Sequence, residues 1–262
     1  MNQRSGAPSS DWLRIYHPTR AEAPHLICLA HAGAGATAFF GLSKQLSPRI
    51  NVLAVQYPGH QDRRNTQCII DIRDLADGVY SALANLRDRQ IALFGHSMGA
   101  LVGYELALRF DRESDKRLIG FIPSAHRAPS DIHKERVSLT DDELLATLRK
   151  LNGTDTRVLQ DDRMLRLILP ALRADYRAIA RYRHEPDSRV RCPTIVCVGD
   201  EDPLVSVYEA LMWQKHVEAP FYLRVFRGGH FYIKSWDTLL AWTIGGMVAD
   251  WAREPENLCP KK

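Results

Sequence analysis

Short apolar runs and stretches of helical period alternate along the N-terminal half of the chain. Leu26–Ala30 is apolar throughout and leads into a loop of small residues, His31–Ala36. Asn51–Gln56 is rich in Val and Leu and stops at Tyr57-Pro58-Gly59, a turn signal. Asp71–Leu86 places Ile72, Leu75, Ala76, Val79, Leu83 and Leu86 at helical spacing. Ile91–Phe94 then reads as a buried strand, Ala100–Phe110 as a helix and Leu118–Pro123 as another strand. Strand, helix and strand at this rhythm imply right-handed crossovers and a mostly parallel sheet. Strands that are apolar almost without interruption imply a sheet covered on both faces.

The rhythm then changes. Between Arg127 and Pro186 the chain shows helical patterns only. Leu139–Leu151 opens on Thr140-Asp141-Asp142-Glu143, a helix start with Thr140 as the cap. Asp161–Arg183 is helical but contains Pro170, which predicts two pieces. Strand patterns return at Thr194–Val198 and Phe221–Phe226, and a closing helix is expected from Trp236 to Trp251. The expected organisation is one α/β domain over residues 1–262, its mostly parallel sheet flanked by helices, with residues 127–186 inserted as a helical lid.

Composition narrows the function classes. At 262 residues, 45% hydrophobic and 25% charged, the chain can bury a substantial core and is neither disordered nor fibrous. It has no apolar run long enough to span a membrane. Met1–Asp11 is polar and reads as a loose tail without the apolar core of a secretory signal. The five cysteines, Cys28, Cys68, Cys192, Cys197 and Cys259, are scattered, which predicts reduced thiols and a cytoplasmic location. A formal charge of +4 without a basic, aromatic-interleaved block gives no footprint for nucleic acid. The cysteines and histidines lack metal-ligand spacing, and no cofactor motif is present, so neither a metal nor a cofactor is expected. A monomer is expected.

The candidate chemistry centres on Gly95-His96-Ser97-Met98-Gly99, a G-x-S-x-G between a predicted strand and a predicted helix. That context makes a tight turn that presents Ser97 Oγ, over a helix N-terminus that favours developing negative charge. A serine hydroxyl needs a base. Of the ten histidines, His230 follows Gly228-Gly229 just after the last strand, in the late position this chain order requires. His96 is expected to pack, and His126, His133, His184 and His216 to lie on the surface or lid. The orienting acid should sit on Gly199-Asp200-Glu201-Asp202-Pro203, with Asp202 favoured by its spacing to Val205 and Asp200 as competitor. The expected oxyanion donors are the backbone N–H groups of Met98 and of Ala32 in the small-residue loop.

These residues resemble the type II thioesterases of polyketide and nonribosomal peptide assembly lines, members of the α/β-hydrolase superfamily. The resemblance runs from about Trp12 to Trp251. It rests on His31–Ala36, Gln56–Arg63, Gly95–Ala100, Ser124–Pro129, Leu172–Tyr176, Gly199–Pro203 and Gly228–Phe231. It implies hydrolysis of acyl thioesters from the phosphopantetheine arm of acyl or peptidyl carrier domains, an editing reaction. It places nucleophile, acid and base on Ser97, Asp202 and His230. The chain departs from the pattern at Ala34-Gly35, at His60 where Arg is common, and at Ala180-Arg181-Tyr182, where an acidic residue often precedes the tyrosine. A product-releasing thioesterase, a carboxylesterase or lipase of the same fold, and a noncatalytic binding protein remain as alternatives.

Overall fold

A computed structural model of the chain describes residues 11–86, 89–134, 140–151, 161–234 and 238–253. Residues 1–10 of the predicted N-terminal tail, Cys259 and the expected helix start at Trp236 lie outside them. The apolar runs form the sheet. β1 (Leu13–Arg14), β2 (His25–Leu29), β3 (Asn51–Val55), β4 (Ile91–His96), β5 (Leu118–Ser124), β6 (Thr194–Gly199) and β7 (Phe221–Phe226) align in the order β1-β3-β2-β4-β5-β6-β7. β1 pairs antiparallel with β3, and every other neighbouring pair is parallel. Every residue of β2, β4 and β6 is buried, as expected for strands covered on both faces. β7, at the edge, leaves Tyr222, Arg224 and Val225 exposed.

Helices α1 (Phe40–Leu46), α2 (Ile72–Ala82), α3 (Met98–Arg112) and α7 (Thr238–Arg253) cover the sheet. Adjacent residues of β5 show that both faces are used, because strand side chains alternate. Gly120 leaves room for Trp251 of α7, whereas Phe121 meets α3 at Gly103. The predicted 71–86 helix is the segment Ile72–Ala82 plus a 3₁₀ turn, Ala84–Leu86, with Asp71 accepting from the N–H groups of Arg73 and Asp74 as its cap. β1, α1 and the short α6 (Val207–Leu211) have no counterpart among the predicted elements. β1 has only two residues, and α1 carries Gly41 and no capping side chain, so neither leaves a usable period.

Between β5 and β6 lie α4 (Asp141–Leu151) and α5 (Asp162–Arg181). Thr140 and Glu143 form the reciprocal cap expected at the start of α4. The expected break at Pro170 does not occur: α5 is one helix of 20 residues. Pro170 stands on the exposed side, and buried Leu165, Ala171, Leu172, Ala174, Ala178 and Ile179 hold both halves in line. One lost backbone bond is thus offset by apolar burial along the whole helix. Leu144, Leu148, Leu165 and Leu172 form a small second core that touches Ala32, at the C-terminal end of β2.

Strand order reverses between β2 and β4: the chain passes from β2 out to β3, then returns to β4 on the other side. In open parallel sheets such a reversal opens a crevice beyond the C-terminal strand ends. The loop 31–36 and Ser97 both sit at that crevice.

Candidate active site

Ser97 follows β4 directly and caps α3, with φ 55° and ψ −121°. A non-glycine residue in this region is strained and persists only where its surroundings enforce it. The flanking glycines are part of that enforcement. A Cβ on Gly99 would lie 2.0 Å from the Leu29 carbonyl oxygen, and one on Gly95 would lie 2.1 Å from the Gly99 oxygen. Ser97 N–H donates to the Ser124 carbonyl at 2.8 Å, which ties the turn to β5. Met98 opens α3, so its N–H belongs to the turn that has no preceding helical carbonyl to bond.

The predicted base and acid come to the same point from distant segments. His230 Nε2 lies 3.1 Å from Ser97 Oγ, and His230 Nδ1 lies 2.9 Å from Asp202 Oδ2. The His230 and Asp202 side chains are 2% and 0% exposed. A carboxylate only accepts, so Nδ1 carries the proton and Nε2 accepts from the serine hydroxyl. Asp202 Oδ1 also accepts from the N–H groups of Leu204 at 2.8 Å and Val205 at 3.3 Å, which fixes the carboxylate. Asp200 turns away: its Oδ1 accepts from Gly228 N–H at 2.7 Å and braces the loop that carries His230. Gly199 lets these loops meet, since a Cβ there would lie 2.3 Å from the Gly228 oxygen.

A cleft opens at Ser97. Ala32, Ala125, Ile179, Leu204 and Val205 supply its apolar wall, and His126, Arg127, Tyr176 and His230 its polar one. Ile179 and Tyr176 come from α5, so that helix forms part of the wall. His126 and His216, expected on the surface or lid, are instead 8% and 5% exposed. The apolar positions around them lie far away in sequence, which hides such burial from a local reading. Burial pushes each of the two imidazoles down to about 4, so both are neutral near pH 7. His126 Nδ1 donates to the Arg127 carbonyl at 2.8 Å, which leaves its Nε2 as an acceptor. His133 lies among residues whose side chains are not described. His96 is fully buried beneath His230, its Nδ1 bonded to Ser124 Oγ at 2.8 Å. The wall residues Tyr176 and His126 were not singled out from sequence as site residues, although both fall in stretches that carry the family resemblance.

The thioesterase domain model matches residues 24–244. Thioesterase PikA5 of Streptomyces venezuelae is 43% identical over 224 residues, covering 85% of this chain and 80% of that one. Thioesterase TesA of Mycobacterium marinum is 34% identical, covering 89% of this chain and 91% of its own. Among solved structures, the type II thioesterase BorB of the borrelidin cluster superposes with a TM-score of 0.81 at 42% identity, covering 94% of this chain and 99% of that chain. RedJ, a thioesterase of the prodiginine pathway in Streptomyces coelicolor, gives a TM-score of 0.80 at 34% identity, covering 88% and 89%. A lipase-esterase related protein from Clostridium acetobutylicum, 18% identical at a TM-score of 0.69, shares the fold alone. Among the described residues no helix is long and apolar enough to cross a membrane. With an α/β-hydrolase sheet, a serine at its switch point and this likeness over most of its length, the chain is a hydrolase of the thioesterase family and belongs with the type II thioesterases.

Proposed function

We propose that the enzyme removes acyl groups from the phosphopantetheine arm of acyl or peptidyl carrier domains in a polyketide or nonribosomal peptide assembly line, as an editing thioesterase. The observation that carries this reading is the hydrogen-bonded run from Ser97 Oγ through His230 to Asp202, at 3.1 and 2.9 Å. In this reading Ser97 Oγ attacks the thioester carbonyl as His230 Nε2 takes its proton. Negative charge builds on the carbonyl oxygen, and the N–H groups of Ala32 and Met98 are the donors that stabilise it. The intermediate collapses with cleavage of the C–S bond, and His230 returns the proton to the departing pantetheine thiol. Water, deprotonated by His230, then attacks the acyl-Ser97 ester, and the acid leaves with Ser97 regenerated. Asp202 holds the His230 tautomer and stabilises the imidazolium that forms twice per turnover. Helices α4 and α5 act as the lid, shaping the acyl cleft and excluding bulk water.

The relatives support the substrate class. BorB comes from the borrelidin biosynthetic cluster and RedJ from the prodiginine biosynthetic pathway, and each is named as a thioesterase. The discriminating experiment compares kcat/KM for an acyl-pantetheine thioester with that for its oxygen ester, followed by mass measurement of an acyl-loaded carrier domain. The reading expects the thioester to be preferred by at least about tenfold, a difference of about 1.4 kcal/mol in transition-state stabilisation. It also expects the carrier to lose its acyl mass. Equal or better turnover of the ester, with the loaded carrier untouched, would instead identify a carboxylesterase.

A further inference from the structure

The loop 31–36, which supplies Ala32, is held from two sides by buried polar groups. On one side Gln56, at the end of β3, accepts from Ala36 N–H at 3.0 Å and donates to the His60 carbonyl at 2.9 Å. On the other, Asp175 reaches down from α5, and its Oδ2 accepts from Gly33 N–H at 2.7 Å. Gly33 takes φ 77°, and a Cβ there would press on Leu172 at 2.8 Å, so loop and helix are in intimate contact. The same carboxylate oxygen lies 2.9 Å from His60 Nε2. His60 Nδ1 faces the Pro58 carbonyl at 3.0 Å. Both ring nitrogens therefore face acceptors, and only the imidazolium can donate to both. The two side chains are each 2% exposed, so the pair is a buried ion pair that joins the inserted helix to the loop.

We propose that His60 and Asp175 are positioning residues for the reaction: as an imidazolium–carboxylate pair they hold the 31–36 loop under α5, and loss of the His60 proton loosens that loop and lowers turnover. This rests on the reading that the loop supplies an oxyanion donor. A neutral ring can donate to only one of its two acceptors. It then sets a ring lone pair against either the Pro58 carbonyl or the Asp175 carboxylate, and in both tautomers the carboxylate is buried without its cation, an arrangement strongly disfavoured in a low-dielectric site.

The groups around the pair support this assignment. Burial pulls the imidazolium down, but the Asp175 charge, its hydrogen bond and the Pro58 carbonyl outweigh burial and leave His60 above the ordinary histidine range. The Asp175 charge also acts on the Tyr57 hydroxyl and the Cys68 thiol, and burial together with that charge pushes both up. Both are thereby held neutral to higher pH than an ordinary phenol or thiol. Asp62 and Arg63 follow on the turn that His60 begins, with Arg63 donating to the Gln56 carbonyl at 3.0 Å and Asp62 engaged by Arg14. Because the folded state raises the His60 value, the pair is intact below the ordinary histidine range and is lost as pH rises through the raised value.

The test is kcat and KM for an acyl-pantetheine thioester from neutral to alkaline pH in the wild type, His60→Arg and His60→Gln. The guanidinium keeps its charge throughout this range. The expected wild-type profile falls in kcat by at least about tenfold on the alkaline limb, with a smaller change in KM. His60→Arg should lack that fall, and His60→Gln should be low at every pH. A wild type without an alkaline fall, or a His60→Arg profile that falls alongside it, overturns the proposal. Should His60→Arg fail to fold, the ring of His60 in Ser97→Ala decides by NMR titration. A ring still charged above the ordinary histidine range supports the pair, and one that titrates at or below it overturns it. The readings separate cleanly, since Ser97→Ala turnover judges the catalytic assignment and the alkaline limb judges this one.

Discussion

At the residue scale, three adjacent carboxylates compete for one role, and their hydrogen bonds sort them. Asp200 and Glu201 are exposed, whereas the Asp202 side chain is fully buried and faces His230 Nδ1. Asp202→Asn keeps the size but offers an amide where a carboxylate must accept the hydrogen bond from Nδ1–H, which favours the wrong imidazole tautomer. The expected loss in kcat is on the order of 10³- to 10⁴-fold with a nearly unchanged fold. Asp200→Asn retains an oxygen for the Gly228 N–H and should cost less than about tenfold. Steady-state kinetics on the two variants check this, and a larger loss at Asp200 would move the acid. The sequence favoured Asp202 by its spacing to Val205 and kept Asp200 as competitor, because spacing within a turn rich in carboxylates does not say which side chain points inward.

At the scale of elements, the β4–Ser97–α3 turn shows why a short motif was legible. Its glycines are demanded by backbone, at Leu29 and Gly99, rather than by movable side chains. Gly99→Ala should therefore destabilise the fold by about 1–3 kcal/mol or more, read as a lowered urea midpoint, and it should displace Ser97. A variant as stable as the wild type would show that the crossing of α3 over β2 is looser than these contacts imply. The strands of the sheet core were equally legible, because each is buried on both faces and needs no partner to reveal its period. Pro170 misled because its rule is local, whereas continuity of α5 is decided by tertiary burial along one face. The contact between His60 and Asp175 spans 115 positions, so no spacing rule connects them. The resemblance flagged both stretches, but their joint task emerges only when α5 lies over the loop after β2.

At the scale of the whole molecule, the reversal of strand order places two loops from different strands side by side. One follows β2 and carries Ala32; the other follows β4 and carries Ser97. The later loops after β6 and β7 bring Asp202 and His230 to the same edge, and α5 lines the cleft there. Sheet topology thus does the converging, while glycines and buried polar pairs set the distances.

The most direct measurement of the central claim is the mass of the enzyme after reaction with a fluorophosphonate, which captures a serine whose hydroxyl has an adjacent base. The account predicts a single adduct on the peptide that carries Ser97, formed at a rate that falls when His230 is replaced. It further predicts that Ser97→Ala is folded, unlabelled and without thioester hydrolysis. An adduct elsewhere, or a folded Ser97→Ala enzyme that hydrolyses its thioester at the wild-type rate, would contradict it.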